Sequence, residues 1–248
     1  MDLGLNGRTA VVCGASSGLG LASAEALARE GANVAMFARR HETLEREAER
    51  IGAVAVRGDV TSGPDLERLV GRTLAAFGGI DIVVWNSGGP PPGKAVDIAD
   101  DGLEDAFALL VLPAVRLVRL CLPHLERSAG GRIICITSVA VKEPVPHLAL
   151  SNTLRPGVTG WAKSLARELG PKSITVNCVA PGRIATPRMD ELYGPTGPPA
   201  EIIGDIPLGR IGEPREFADV VCFLASDRAA YVSGITLAVD GGASRGLL

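Results

Sequence analysis

Short apolar runs alternate along this chain with longer stretches whose apolar residues recur every three or four positions. The runs at 9–13 (TAVVC), 33–38 (NVAMFA), 54–60 (VAVRGDV), 80–86 (IDIVVWN), 132–138 (RIICITS), 174–180 (ITVNCVA) and 235–240 (ITLAVD) read as strands. Helices are predicted over 20–30, 41–50, from Thr61 or Ser62 to Phe77, and over 103–126, 148–169 and 214–225. Strands that are apolar on both faces, separated by helices, imply a parallel sheet covered on both sides. Right-handed crossovers then give an α/β, doubly wound sheet of about seven strands. Two prolines qualify the helices. Pro113 should kink 103–126, because its ring clashes with the carbonyl of Leu109. Pro156 cannot donate to the carbonyl of Asn152, so 148–169 is expected to start late or bend in its first turns. The Pro/Gly-rich stretch 186–213 breaks the alternation and is expected to be a lid or binding loop. Its length of 248 residues suits one domain spanning 1–248.

Composition narrows the function classes. The net charge of -3 gives no basic footprint for nucleic acid. No continuous apolar run of bilayer length is evident, and the start MDLGLNGRTA does not read as a secretion signal, so no membrane partner and a cytoplasmic location are expected. The five cysteines (Cys13, Cys121, Cys135, Cys178 and Cys222) are widely spaced in apolar runs and read as buried thiols. No His/Cys/carboxylate group has metal-ligand spacing, so no metal is expected.

The chemistry-bearing signal lies in the first strand–helix turn, CGASSGLG, with Gly14, Gly18 and Gly20. Glycines there let the backbone turn sharply and approach a ligand, and the following helix offers free N–H groups to a pyrophosphate. This predicts a dinucleotide on Gly14, Ser16, Ser17, Gly18, Leu19 and Gly20 in a Rossmann fold. The second strand ends in Phe37-Ala38 without the carboxylate that meets a ribose 2′-hydroxyl; Arg39 and Arg40 follow. A guanidinium suits a 2′-phosphate, which favours NADP(H) over NAD(H), with Arg39 the contact. The other cofactor positions fall at strand C-termini, where such sheets bind ligands: Asp59 and Val60, then Asn86, Ser87 and Gly88, and finally Pro181, Gly182, Ile184 and Thr186.

Together these motifs resemble the short-chain dehydrogenase/reductase family over essentially the whole chain. Within it, the sequence is similar to beta-ketoacyl-acyl-carrier-protein reductases and to sugar and alcohol dehydrogenases. CGASSGLG stands for the family's TGxxxGxG, with Cys13 in place of Thr; NSGG (86–89) stands for NNAG, ITS (136–138) brings Ser138, APGRIAT (180–186) supplies the PG motif, and VDGG (239–242) the C-terminal signature. The family's catalytic set is Asn, Ser, Tyr and Lys. Here the Asn position falls on Leu110, Ser138 is kept, and YxxxK becomes Ser151-Asn152-Thr153-Leu154-Arg155. The resemblance implies an oxidoreductase acting on a small-molecule carbonyl or alcohol, 3-oxoacyl thioesters included, and a homotetramer or homodimer.

The replaced residues carry physical consequences. The family's Tyr, with an ordinary pKa of ~10, is brought toward neutrality by the Lys cation. A serine hydroxyl is shorter and a far weaker acid. Arg155 keeps its charge and its donors and could still hold the nicotinamide ribose. Ser138, Ser151 and Arg155 are therefore the catalytic candidates. Other proton sources are His147, expected at the substrate rim, and Tyr193 in the lid; Tyr231 reads as structural, and His41 and His124 as helix-surface residues. Three readings follow: an oxidoreductase with altered acid–base groups, a binding or regulatory protein that kept the nucleotide site, or an enzyme such as an enone reductase that needs no strong acid.

Overall fold

The computed structural model describes residues 1–194 and 196–246; Pro195, within the expected lid, and residues 247–248 of the expected domain lie outside the described residues. Seven strands form one parallel sheet: β1 (Thr9–Cys13), β2 (Asn33–Ala38), β3 (Val54–Arg57), β4 (Ile82–Trp85), β5 (Arg132–Ile136), β6 (Thr175–Pro181) and β7 (Thr236–Val239). Their order is β3-β2-β1-β4-β5-β6-β7, so the direction of winding reverses between β1 and β4. In register, Trp85 lies opposite Cys135, and Ile136 opposite Val179, which brings the strand ends to one edge of the sheet.

The continuous apolar runs are explained by two cores. Val12, Met36, Val84 and Ile134 face one side, against α1 (Gly18–Arg29) and α9 (Pro214–Ala225). Their neighbours Val11, Phe37, Trp85 and Cys135 face the other. There they meet α3 (Gly63–Phe77), α5 (Leu112–Leu125) and α6 (Ala149–Leu169). Neither face needs polar residues, because neither meets water. α2 (His41–Ile51) and α4 (Asp100–Leu110) complete the flanking helices. Of the two candidate caps for α3, Ser62 acts: its hydroxyl accepts from the Asp65 amide at 3.3 Å.

Several boundaries differ from the sequence reading. The strands stop short of Asp59, Asn86 and Ser138, which lie just beyond β3, β4 and β5. The expected helix 103–126 starts at Asp100 and is interrupted at the single residue Val111, which keeps right-handed helical angles, so the interruption falls beside Pro113 where the kink is expected. Pro113 sits in the first turn of α5, where its missing N–H costs nothing. Conversely, α6 does not start late. It begins at Ala149, seven residues ahead of Pro156, because the Asn152 amide clamps the preceding loop, donating to the Val145 carbonyl (2.9 Å) and accepting its N–H (3.1 Å). The stretch Asp100–Leu125, with a window of mean hydropathy 1.9, is long and apolar enough by composition to cross a membrane, which the sequence reading passed over. Here it is the broken α4–α5 pair, packed on α3, α6 and β4.

The expected lid contains two short helices, α7 (Pro187–Tyr193) and α8 (Ala200–Gly204). Its base is pinched shut, with Ala185 N–H donating to the Gly212 carbonyl (2.8 Å) and Gly212 N–H to that of Arg183 (2.9 Å).

Candidate functional site

The C-terminal strand ends open into one cleft of about 360 Å³. It lies where the winding reverses, the place such sheets bind ligands. One end is the turn after β1. Gly14 and Gly18 have φ of 61° and 57°, a region that disfavours any other residue. A side chain on Gly14 would meet the Asn86 amide nitrogen at 2.6 Å, and one on Gly20 would overlap the Gly14 carbonyl. The turn, the end of β4 and the first turn of α1 are therefore packed backbone to backbone. The resulting hollow leaves the first N–H groups of α1 facing the cleft, which suits a pyrophosphate.

Of the cofactor positions expected from sequence, Gly14, Ser16, Ser17, Gly18, Leu19, Arg39, Asp59, Val60, Asn86, Ser87, Gly88, Pro181, Gly182, Ile184 and Thr186 line this cleft. Gly20 is not among the lining residues: it is buried, and its role is the close approach of helix to turn. Arg39 is exposed at the mouth, with Nη1 3.9 Å from Asp59 Oδ2, a loose pairing that leaves most of its donors free. Thr186 and Pro187 lie 3.5 Å and 3.8 Å from where a Gly18 side chain would stand, so the lid's first residues touch the phosphate turn.

The other end gathers Ser138, Ser151 and Arg155 in the same cleft. Ser138, past β5, accepts from the Ala140 N–H at 3.1 Å. That engages its oxygen and leaves its hydroxyl proton to donate elsewhere. Ser151 is only 5% exposed, on the first turn of α6. Arg155 Nη1 donates to the carbonyls of Thr137 (3.0 Å) and Ile136 (3.5 Å), tying α6 to the end of β5. Burial, and then the nearby Arg188 cation, bring the Arg155 guanidinium down to about 10, which still leaves it charged at neutral pH. Leu110, expected at the family's Asn position, is buried and is not among the lining residues; Leu109 lines the cleft, with Val145 and Leu148.

The alternative proton sources separate. Tyr193, on α7, lines the cleft. His147 is exposed, lies outside the lining and holds a left-handed φ of 60°, with its carbonyl accepting from Gly93 N–H at 2.7 Å. Tyr231 is fully exposed, which corrects the expectation of a packed structural residue. Among the described residues, no metal-binding cluster of His, Cys, Asp or Glu occurs.

Sequence reading missed two arginines. Arg183, past β6, lines the cleft with its Nε buried and without a hydrogen-bond partner among the described residues. Arg188, on α7, also lines it; Nη2 donates to the Pro90 carbonyl at 2.7 Å and Nη1 to Glu191 at 2.8 Å. The available signal was the density of Arg in APGRIATPR, a loop already suspected of covering the ligand.

Comparison with known proteins agrees with this geometry. The family model described as "Enoyl-(Acyl carrier protein) reductase" matches residues 14–244. L-fucose dehydrogenase of Mus musculus is 37% identical over 248 residues, covering 97% of this chain and 90% of that protein. Glucose 1-dehydrogenase of Gluconobacter oxydans is 35% identical over 247 residues, covering 95% and 91%. Among solved structures, L-sorbose reductase from Gluconobacter frateurii, complexed with NADPH and L-sorbose, superposes with a TM-score of 0.90 at 32% identity over 100% of both chains. With its sheet order, its glycine turn and a family match across nearly its whole length, the chain belongs to the short-chain dehydrogenase/reductase family.

Proposed function

We propose that the protein is an NADP(H)-dependent oxidoreductase acting on a carbonyl or alcohol, 3-oxoacyl thioesters among the candidates, with non-standard acid–base residues. The observation that carries this reading is one continuous cleft lined by both the phosphate turn and Ser138, Ser151 and Arg155. Gly14 and Gly18 leave room for the pyrophosphate, Thr186 covers it, and Arg39 takes the 2′-phosphate. The bound nicotinamide supplies or accepts the hydride. Ser138 donates its hydroxyl proton in a hydrogen bond to the substrate oxygen, where negative charge develops. Arg155 holds the nicotinamide ribose and contributes positive charge. Ser151, or a water beside it, relays the proton, with the Tyr193 phenol the second source. The segment 186–213 acts as the lid. Five buried, unpaired cysteines fit the cytoplasm, and a homotetramer or homodimer would cover the exposed Phe107, Ile235 and Leu237.

A second reading, a nucleotide-binding or regulatory protein without turnover, is favoured by Ser151 itself, a short, buried hydroxyl where the family has a phenol. The two are told apart by mixing purified protein with NADPH and a panel of ketones and 3-oxoacyl thioesters and following absorbance. Turnover that falls about 100-fold in Ser138→Ala supports catalysis. NADPH binding without turnover, and no gain from Ser151→Tyr with Arg155→Lys, favours the second reading. Equal affinity for NADH and NADPH removes the role given to Arg39.

A further inference from the structure

Seven charged residues line the cleft: Arg39, Arg40, Arg155, Arg183 and Arg188, against Asp59 and Glu191. Their distribution is uneven. At the mouth, Arg39 faces Asp59. Beyond Ser138, three guanidiniums share one carboxylate, Glu191, which is already bound by Arg188. Arg155 and Arg188 line the same cleft, and two cations there cost stability unless an anion stands between them; burial first, and the Arg188 charge second, lower the protonation of Arg155. Arg183 adds a buried N–H with no acceptor among the described residues. A buried donor left unpaired is expensive, and because this Nε is closed off from the cleft, a ligand's contact with Arg183 falls to the rest of its guanidinium.

From this excess of positive charge we infer that the substrate carries a carboxylate: the cleft takes small oxo acids and their hydroxy acids, holding the carboxylate between Arg183 and Arg188, with the charge of the ribose-holding Arg155 beside them, while Ser138 meets the reacting oxygen. This rests on the oxidoreductase reading and narrows it. Guanidinium forks match carboxylates with two parallel hydrogen bonds, which sets orientation as well as affinity. Arg188 belongs to α7 and reaches the Pro90 carbonyl across the cleft, so it can close on the anion from the lid side. The competing assignment is that these arginines serve the phosphates of the dinucleotide.

The test uses pyruvate, acetoacetate and levulinate, which move the carbonyl stepwise away from the carboxylate, each paired with its methyl ester. NADPH oxidation is measured for wild type, Arg188→Gln and Arg183→Gln, and NADPH affinity is measured separately by fluorescence. The proposal expects one acid to exceed its ester in kcat/KM by about tenfold or more, with that preference lost in Arg188→Gln through KM for the acid while NADPH affinity holds. Esters equal to or better than the acids overturn it and leave the oxidoreductase reading intact. Loss of NADPH affinity in both variants, with the acid preference kept, assigns the arginines to the cofactor and also overturns it. If nothing turns over, the three acids are titrated into protein with and without NADPH, by calorimetry. Saturable binding abolished in Arg188→Gln then upholds the anion site while the catalytic reading falls, and no binding overturns the anion site as well.

Discussion

Arg155 shows how the kind of cation decides what a position can do. A lysine there would be a compact charge; an arginine is a planar fork, and one of its nitrogens already bridges two carbonyls at the end of β5. Its other donors remain for the cleft. Because its folded-state value is about 10 against an ordinary 12.5, the folded protein binds fewer protons than the unfolded chain between those limits. Stability therefore rises with pH across that window, and below it the buried cation is a standing cost. An anion in the cleft should relieve that cost. Thermal unfolding near pH 8 is expected to shift upward with acetoacetate in a wild-type but not an Arg188→Gln protein, and KM for an acid substrate should climb as pH passes about 10. A flat KM through pH 10 would mean that the charge of Arg155 does not act on the substrate. The glycines tell a simpler story at the same scale. Gly20, expected beside the ligand, leaves space for the Gly14 carbonyl: the helix could not approach the turn with a side chain there.

Elements decide which of these residues meet. α6 contributes Ser151 and Arg155 from one face, four residues apart. Its interior proline should have weakened its first turns, yet the helix begins well before it. The compensation is the Asn152 clamp on Val145, together with Thr153 Oγ1 donating to the Ala149 carbonyl at 2.9 Å. Asn152→Ala is expected to cost about 1–3 kcal/mol in denaturant unfolding, because two backbone groups lose their partner. It should also loosen the loop that follows Ser138, seen as faster amide exchange over 139–150. Unchanged exchange there would show that the loop is held by other contacts. Proline acts differently at Pro113, which sits in the first turn of α5, where no N–H is needed and the interruption is confined to Val111. Periodicity alone reads both prolines alike; the difference lies in side chains that reach outside the helix.

Across the whole molecule, the sheet sets the access of each group. All five cysteines are buried, and burial pushes the Cys121 and Cys222 thiols up to about 12. Cys135 and Cys178 lie opposite each other on β5 and β6, and the Cys178 neighbour, then burial, raise the Cys135 thiol well above its ordinary value. Labelling of the native protein with a thiol reagent at pH 7.5 should be slow at every cysteine and complete on unfolding. Rapid labelling of any one would place it outside the core. The sequence determined a good deal by itself: the run of buried strands, the glycine turn and the Arg39-Arg40 pair where a carboxylate would meet a ribose all follow from local composition and spacing. Local signals of this kind are read along the chain. What only the tertiary structure decided is which distant residues share the cleft. Arg183 and Arg188 come from one loop, Arg155 from a helix about thirty residues earlier, and Ser138 from a strand end before that. The repulsion between Arg155 and Arg188 exists only once the sheet edge brings them together, because electrostatic coupling depends on distance through space and not along the sequence.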